Sequence, residues 1–238
     1  MSAEVAEDEV EGSDGVTEAP VNAAAAVRVN LADYNPWTLR AYDATVATTC
    51  RMFWGCPRPE LLALYGRNIG ARHLDIGVGS GYLLDRCRGA DGPRAVTLFD
   101  LNPNCLAYTA KRLDRYEVAT ARGTVLEPFP LPAASFDSAA LNLMLHCVPG
   151  DLAAKGAALG HAAACVRPGG RLFGSTVLSR GVPVPPQARA LLWLLNRRGS
   201  FHNAEDGLDA LHAQLSSRFT DYKVTVRGCT AMFEATVE

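Results

Sequence analysis

Three glycines at alternate positions, Gly77, Gly79 and Gly81, follow a short apolar run, His73-Leu74-Asp75-Ile76, and precede a helical one from Tyr82 to Cys87. Glycine adopts positive φ without steric cost and lets backbone approach a ligand closely. A helix start leaves unpaired N–H groups facing the same spot, which suits a carboxylate or a phosphate. The stretch reads as a strand, a nucleotide-type cofactor loop and a helix. Its spacing narrows the ligand. A dinucleotide fingerprint is G-x-G-x-x-G, whereas here the third glycine comes one residue early. A Walker loop ends in Gly-Lys-Ser/Thr, whereas Gly81 is followed by Tyr82-Leu83. Asp75 stands on the strand ahead of the glycines, where its charge would repel a pyrophosphate and attract the ammonium of an amino-acid-like cofactor.

A second acid lies where a ribose would need one. Arg94 to Asp100 reads as a strand ending about 25 residues beyond Asp75, close to the roughly 20-residue interval at which an acid meets ribose hydroxyls. A carboxylate accepts two hydrogen bonds in one plane and so matches a vicinal diol. The competing reading of Asp100 is a cap for the helix that starts near Pro103, whose buried face is Leu106, Ala110 and Leu113.

These groups need elements to hold them. Ahead of the first strand, Tyr34, Trp37, Tyr42, Phe53, Trp54 and Tyr65 concentrate in one segment. Residues 38–46 read as a helix with Leu39, Tyr42 and Val46 at i, i+3 and i+7, and a second helix begins at Glu60 after Pro57 and Pro59. The aromatics are either helix packing against a sheet or a lid over the ligand. Beyond the glycine loop, residues 151–166 read as a small-residue helix, Arg167-Pro-Gly-Gly170 as a helix stop before a strand, and residues 187–198 as a helix. Asn203 is placed to cap a further helix with Leu208, Leu211, Leu215 and Phe219 on its buried face. Two alternating runs around Gly228-Cys229, from Tyr222 and from Thr230, form a hairpin.

The Asp75-x-Gly-x-Gly-x-Gly81 loop resembles the first motif of class I S-adenosylmethionine (SAM)-dependent methyltransferases. Asp100-Leu-Asn-Pro, the connector through Leu126-Glu-Pro-Phe-Pro130 to Ser135-Phe-Asp137, and Arg167-Pro-Gly-Gly170 are similar to further motifs of that family, in its order. The resemblance covers roughly residues 31–238. It implies an α/β fold: a Rossmann-like, doubly wound, mostly parallel seven-stranded sheet with a C-terminal antiparallel hairpin. It also implies SAM as cofactor, S-adenosylhomocysteine (SAH) as product, and a cofactor site of Tyr42, Asp75, Gly77, Gly79, Gly81, Asp100, Leu101, Thr124, Val125 and Asn142. Tyr42 enters through Ala41-Tyr42-Asp43, which resembles a family sequence lying against SAM, with Tyr34 and Trp37 as its neighbours. Many members carry an acid after the glycine that here is Gly123. Thr124, or backbone at Val125–Leu126, stands in its place for the adenine.

Methyl transfer requires a general base only when the acceptor's proton must leave. His146, after the family's fourth strand at the rim where α/β sheets bind ligands, is the candidate; a hydrogen-bonded structural histidine is the other reading. His202, with Trp193 and Arg197, is placed to line the acceptor side. His73 and His161 read as structural. No metal motif is present, so no metal site is expected. The domain reading is a disordered acidic tail over 1–28 and a methyltransferase domain over 29–238, with a helical lid over 29–66 and an acceptor-side insertion over 179–203.

Composition bounds the partners. The chain has 238 residues, 48% hydrophobic and 20% charged, with net charge −2, values of a globular protein. Residues 1–27 hold seven acids and no Lys or Arg, leaving 23 basic against 18 acidic groups elsewhere, about +5. No basic cluster appears, so neither nucleic acid nor an anionic membrane is expected. Seven cysteines without a C-x-x-C argue against a disulfide framework or a zinc site. The lack of a signal peptide or long apolar run points to a cytoplasmic protein, monomer or homodimer. The expected acceptor is a small, fairly apolar specialised metabolite. Family members of this kind methylate O, N, C or S atoms, and one type methylates a disulfide in a cyclic peptide antibiotic, so antibiotic biosynthesis is one setting. Rival readings are a SAM-binding protein with other chemistry or a regulatory role, and a nicotinamide oxidoreductase, which the glycine spacing opposes.

Overall fold

The computed structural model of the protein describes residue 34, residues 36–87 and residues 92–238. The acidic tail expected over 1–28 lies outside the described residues. Seven strands form one sheet: β1 (Arg72–Ile76), β2 (Ala95–Asp100), β3 (Glu117–Arg122), β4 (Phe136–Asn142), β5 (Val166–Val177), β6 (Tyr222–Arg227) and β7 (Thr230–Thr236). Their order is β3-β2-β1-β4-β5-β7-β6. The first five are parallel, and β7 and β6 run antiparallel as the expected hairpin.

Helices cover both faces, and the residue pattern of each strand shows why. In β1, Leu74 and Ile76 enter one apolar cluster with Phe99 and Phe233, packed under Ala158, Leu159 and Leu215. His73 and Asp75, one residue out of phase, project to the opposite face, where Phe173 and Leu98 meet Leu61, Leu64 and Tyr65. The helices on this second face are α1 (Pro36–Met52), α2 (Arg58–Asn68), α3 (Tyr82–Arg86), α4 (Pro103–Arg112) and α7 (Pro186–Arg198). On the first face lie α5 (Leu152–Lys155), α6 (Ala157–Cys165) and α8 (Leu208–Ser216). The order reverses between β1 and β4, so the carboxyl ends of β1, β2 and β4 open onto a crevice at the switch point.

Three expected elements differ. The helix read over 38–46 runs from Pro36, where a proline's fixed φ suits a first turn, to Met52. The helix read over 151–166 is interrupted at Gly156, where any Cβ would lie 1.9 Å from Gln214 Oε1 of α8; the missing side chain lets α8 approach. Asn203 caps no helix. It is fully buried, its Nδ2 donates to Val177 O at 2.8 Å, and α8 starts at Leu208 after Gly207.

Candidate functional site

The glycine loop leaves β1 with Gly77 N–H donating to Phe99 O at 2.8 Å. Its three glycines have φ of +68°, +52° and +68°. They differ in what surrounds them. A Cβ on Gly77 would sit 2.2 Å from Met144 Cγ and one on Gly81 2.4 Å from Thr109 Cγ2, whereas on Gly79 it would look into open space with Tyr42 Cε1 at 3.5 Å. Gly77 and Gly81 are packed, and Gly79 is the bare backbone that faces the cavity. Helix α4 and α1 brace the loop from outside. Thr109 Oγ1 donates to Gly79 O at 3.0 Å, Arg112 Nη1 to Ser80 O at 2.7 Å, and Ser80 Oγ to Asp43 Oδ1 at 2.6 Å. Arg112 and Asp43 close the circuit as an ion pair at 2.5 Å. In Ala41-Tyr42-Asp43, Tyr42 therefore faces the cavity while Asp43 ties α1 to the loop.

Two buried carboxylates stand at the strand ends. Asp75 is 3% exposed and accepts from the Tyr65 hydroxyl at 3.1 Å. Burial pushes its carboxyl from 3.8 up to about 7, with the Tyr65 hydrogen bond opposing and the neighbouring Asp100 charge adding. Asp100, also buried, accepts from Asn102 N–H at 2.8 Å. Burial raises it to about 6, held from rising further by N–H groups of Asn102, Gly79 and Val78. The cap of α4 is Asn102, which accepts from Asn104 N–H, so the capping alternative for Asp100 does not hold.

One cavity joins these groups. Its lining includes Tyr34, Tyr42, Asp75, Gly77, Gly79, Gly81, Asp100, Leu101, Thr124, Val125 and Asn142, so all ten of the expected cofactor residues meet there. The Tyr34 and Tyr42 hydroxyls are hydrogen-bonded at 2.9 Å. Thr124 Oγ1 accepts from Leu126 N–H at 3.3 Å. Asn142 accepts from Ser175 Oγ at 2.9 Å, and its buried Nδ2 lies near the Tyr65 hydroxyl without completing a hydrogen bond to it. The lining also holds residues that sequence reasoning missed: Arg58, Leu61 and Tyr65 of α2, and Leu143 to Pro149 in part. Leu143 has φ +51°, a strained conformation for a leucine of the sort found at functional sites. It turns the chain so that Met144 covers Gly77. Its residue type gives no signal of this.

His146 corrects an expectation. It does not line the cavity; it is buried, its ring 4.3 Å from that of Phe201, and its Nδ1 accepts from Val177 N–H at 3.3 Å. That bond leaves the proton of the neutral ring on Nε2, so the basic lone pair is already committed. Burial, then the nearby Lys155 charge, lower its pKa from 6.5 to about 3. This placement fits the structural reading of the two. The acceptor-side group is likewise not brought to the cavity. Trp193 is 61% exposed with the Arg197 guanidinium 5.3 Å above its ring, and His202 N–H donates to His146 O at 2.8 Å. Trp37 is 76% exposed and away from the lining. His73 bonds Ser138 Oγ and His161 bonds Val125 O, as structural histidines do.

A mostly parallel α/β sheet with a glycine loop and two strand-end carboxylates at its switch point defines a nucleotide-cofactor enzyme. A methyltransferase-domain family matches residues 52–215. The chain is 47% identical over 205 residues, 86% of its length and 89% of the relative's, to the demethylluteothin O-methyltransferase of Streptomyces thioluteus. It is 36% identical over 219 residues, 85% and 95% of the two lengths, to the methyltransferase verB of Penicillium polonicum. Among solved structures, the N-methyltransferase NodS of Bradyrhizobium japonicum, in complex with SAH, shares the fold: TM-score 0.58, 16% identity, 91% of this chain and 98% of that one covered. The chain belongs to the methyltransferase family and is a SAM-dependent methyltransferase. No helix among the described residues is long and apolar enough to cross a membrane.

Proposed function

We propose that the protein methylates a hydroxyl oxygen of a small, largely apolar specialised metabolite. The observation that carries this is a cavity whose lining joins Asp75, Asp100 and the bare backbone of Gly79 to the apolar Leu143, Met144, Val148 and Pro149 and to Tyr34 and Tyr42. Its polar lining fits SAM. Asp75 would receive the ammonium and Asp100 the ribose hydroxyls, Gly79 would let backbone approach, and Asn142 offers a buried donor without a partner. Leu101, Thr124 and Val125 would flank the adenine. When bound, SAM supplies a methyl group already activated on a sulfonium. The work left to the chain is to place the acceptor in line with it and to exclude water, which Tyr34 and Tyr42 are positioned to do.

Taking the acceptor atom as a hydroxyl oxygen, rather than the disulfide of a cyclic peptide, rests on the 47% identity with an O-methyltransferase. His146 supplies no base to such a hydroxyl. An acceptor whose own hydroxyl ionises near neutral pH, as an enol or an acidic phenol does, needs none. The test has two steps. Calorimetric titration with SAH, with NADH as control, should show binding of SAH alone. Methyl-labelled SAM with a panel of enolic, phenolic, aliphatic-hydroxyl and amine acceptors should then place label on oxygen of the acidic hydroxyls. Label on nitrogen only, or turnover without SAM consumption, would overturn the reading.

A further inference from the structure

The seven cysteines are all free thiols, and the methyl transfer described above uses none of them. Burial raises six of them above the ordinary thiol range: Cys50 to about 12, Cys56, Cys87 and Cys229 to about 11, and Cys105 and Cys165 upward. A thiol held protonated in this way is a poor nucleophile. Five of the six are buried, and the half-buried Cys87 turns its Sγ to Leu84 O at 3.1 Å. The seventh, Cys147, is placed differently. It is half-buried, it ends the 3-10 turn Leu145–Cys147, and it lines the cavity with Met144 and Val148. The turn that carries His146 away from the cavity brings Cys147 to it.

The same lining shows an unmet demand for a ligand. Asn142 is 8% exposed and its Nδ2 has no partner; a carbonyl oxygen is an acceptor of the kind this donor lacks. The chain neighbours of Cys147 in the lining, Met144, Val148 and Pro149, are apolar. We propose that Cys147 is a covalent modification site inside the cavity, and that the ligand it takes is an apolar α,β-unsaturated carbonyl compound. The thiol gives its proton to water, and Sγ bonds to the β-carbon of the ligand. The π pair of the carbon–carbon double bond moves to the carbonyl oxygen, and the enolate so formed takes a proton from water at its α-carbon. Thiol and ligand combine with no atom lost and no oxidant needed. The site goes beyond the methyl-transfer reading and does not depend on it.

The test treats the native full chain with N-phenylmaleimide over a range of concentrations, follows the first adduct by intact mass and locates it by peptide mapping. The first adduct should fall on Cys147, at a rate that saturates as the reagent rises, because the apolar ring is held in the cavity before the bond forms. N-(2-carboxyethyl)maleimide has the same reactive double bond and a carboxylate in place of the ring. It should modify Cys147 about 10-fold more slowly or less, the order set by burying a phenyl ring, and without saturation. Cys147→Ser should lose the first adduct while melting as the parent does, and mapping of the parent decides the site even where that variant does not fold. A first adduct on Cys87 or on any buried cysteine would overturn the assignment. So would linear and equal rates for the two reagents at Cys147, which is how an ordinary surface thiol behaves.

Discussion

Replacing Asp75 by Asn should stabilise the protein and cripple its cofactor site at once. In the folded chain the Asp75 carboxyl is raised from 3.8 to about 7, chiefly by burial. A carboxyl raised in this way contributes stability through its neutral form. That contribution is complete below pH 3.8 and is lost as pH rises through about 7. At pH 8 the ionised group therefore costs on the order of 4 kcal/mol. Asn removes that charge and keeps an oxygen for the Tyr65 hydroxyl. The Ile76 N–H interaction that favours the carboxylate is already contained in that shift. The net gain at pH 8 is then about 4 kcal/mol, or a melting temperature higher by roughly 8–16 °C for a chain of this size. Near pH 4.5, where most of the folded parent's carboxyl is neutral, the gain should shrink to about 1 kcal/mol. Urea unfolding of parent and variant at the two pH values measures the difference. SAH affinity of the variant should fall about 10- to 100-fold, and in the parent it should weaken as pH drops below about 7, because binding the ammonium requires the carboxylate. A variant less stable than the parent at pH 8 would refute the burial argument. Unchanged SAH affinity would refute the placement of the ammonium.

Gly79→Val should abolish SAH binding, since the position has φ +52° and its Cβ would enter the cavity toward Tyr42; isothermal titration and a melting curve separate that loss from misfolding, and SAH binding within tenfold of the parent would contradict it. His146→Gln should keep methyl transfer within a few-fold, with a pH–rate profile of the parent's shape, and lower stability by about 1–3 kcal/mol through the disturbed Val177 N–H contact. A rate loss of about a thousandfold, with a lost inflection in that profile, would restore His146 as a base.

Much of this site was legible because its residue types are forced. Only glycine fills Gly77 and Gly81 at positive φ against Met144 and Thr109, and an acid at the end of β2 falls at a spacing that chain geometry repeats. The hairpin was legible because alternation and a Gly-Cys turn leave few other pairings. What escaped depends on contacts between distant segments. His146 looked like a base from its place at the sheet rim, but a 3-10 turn over Leu145–Cys147 carries its ring away from the cavity and under Phe201. Asn203 had the chemistry of a cap, and tertiary burial used that amide to satisfy Val177 O and Asn196 instead. Tyr65 reads as a core aromatic by periodicity, and only the approach of α2 to β1 turns its hydroxyl onto Asp75.

Several costs of this fold meet at the cavity. Two carboxylates are held above their ordinary range, the amide nitrogen of Asn142 is buried without a partner, and Leu143 takes a positive φ. Away from the cavity, the fully buried Lys155 pairs with Asp206 at 2.7 Å and donates to His202 O. Natural chains keep such strain where surrounding structure over-determines it and a ligand relieves it. A cationic ammonium beside Asp75 and a diol beside Asp100 would each relieve part, so a share of the binding free energy comes from discomfort already built into the free protein. By linkage, ligand binding must then raise thermal stability most at a pH where both carboxyls are ionised, a pattern that simple filling of an apolar cavity would not produce.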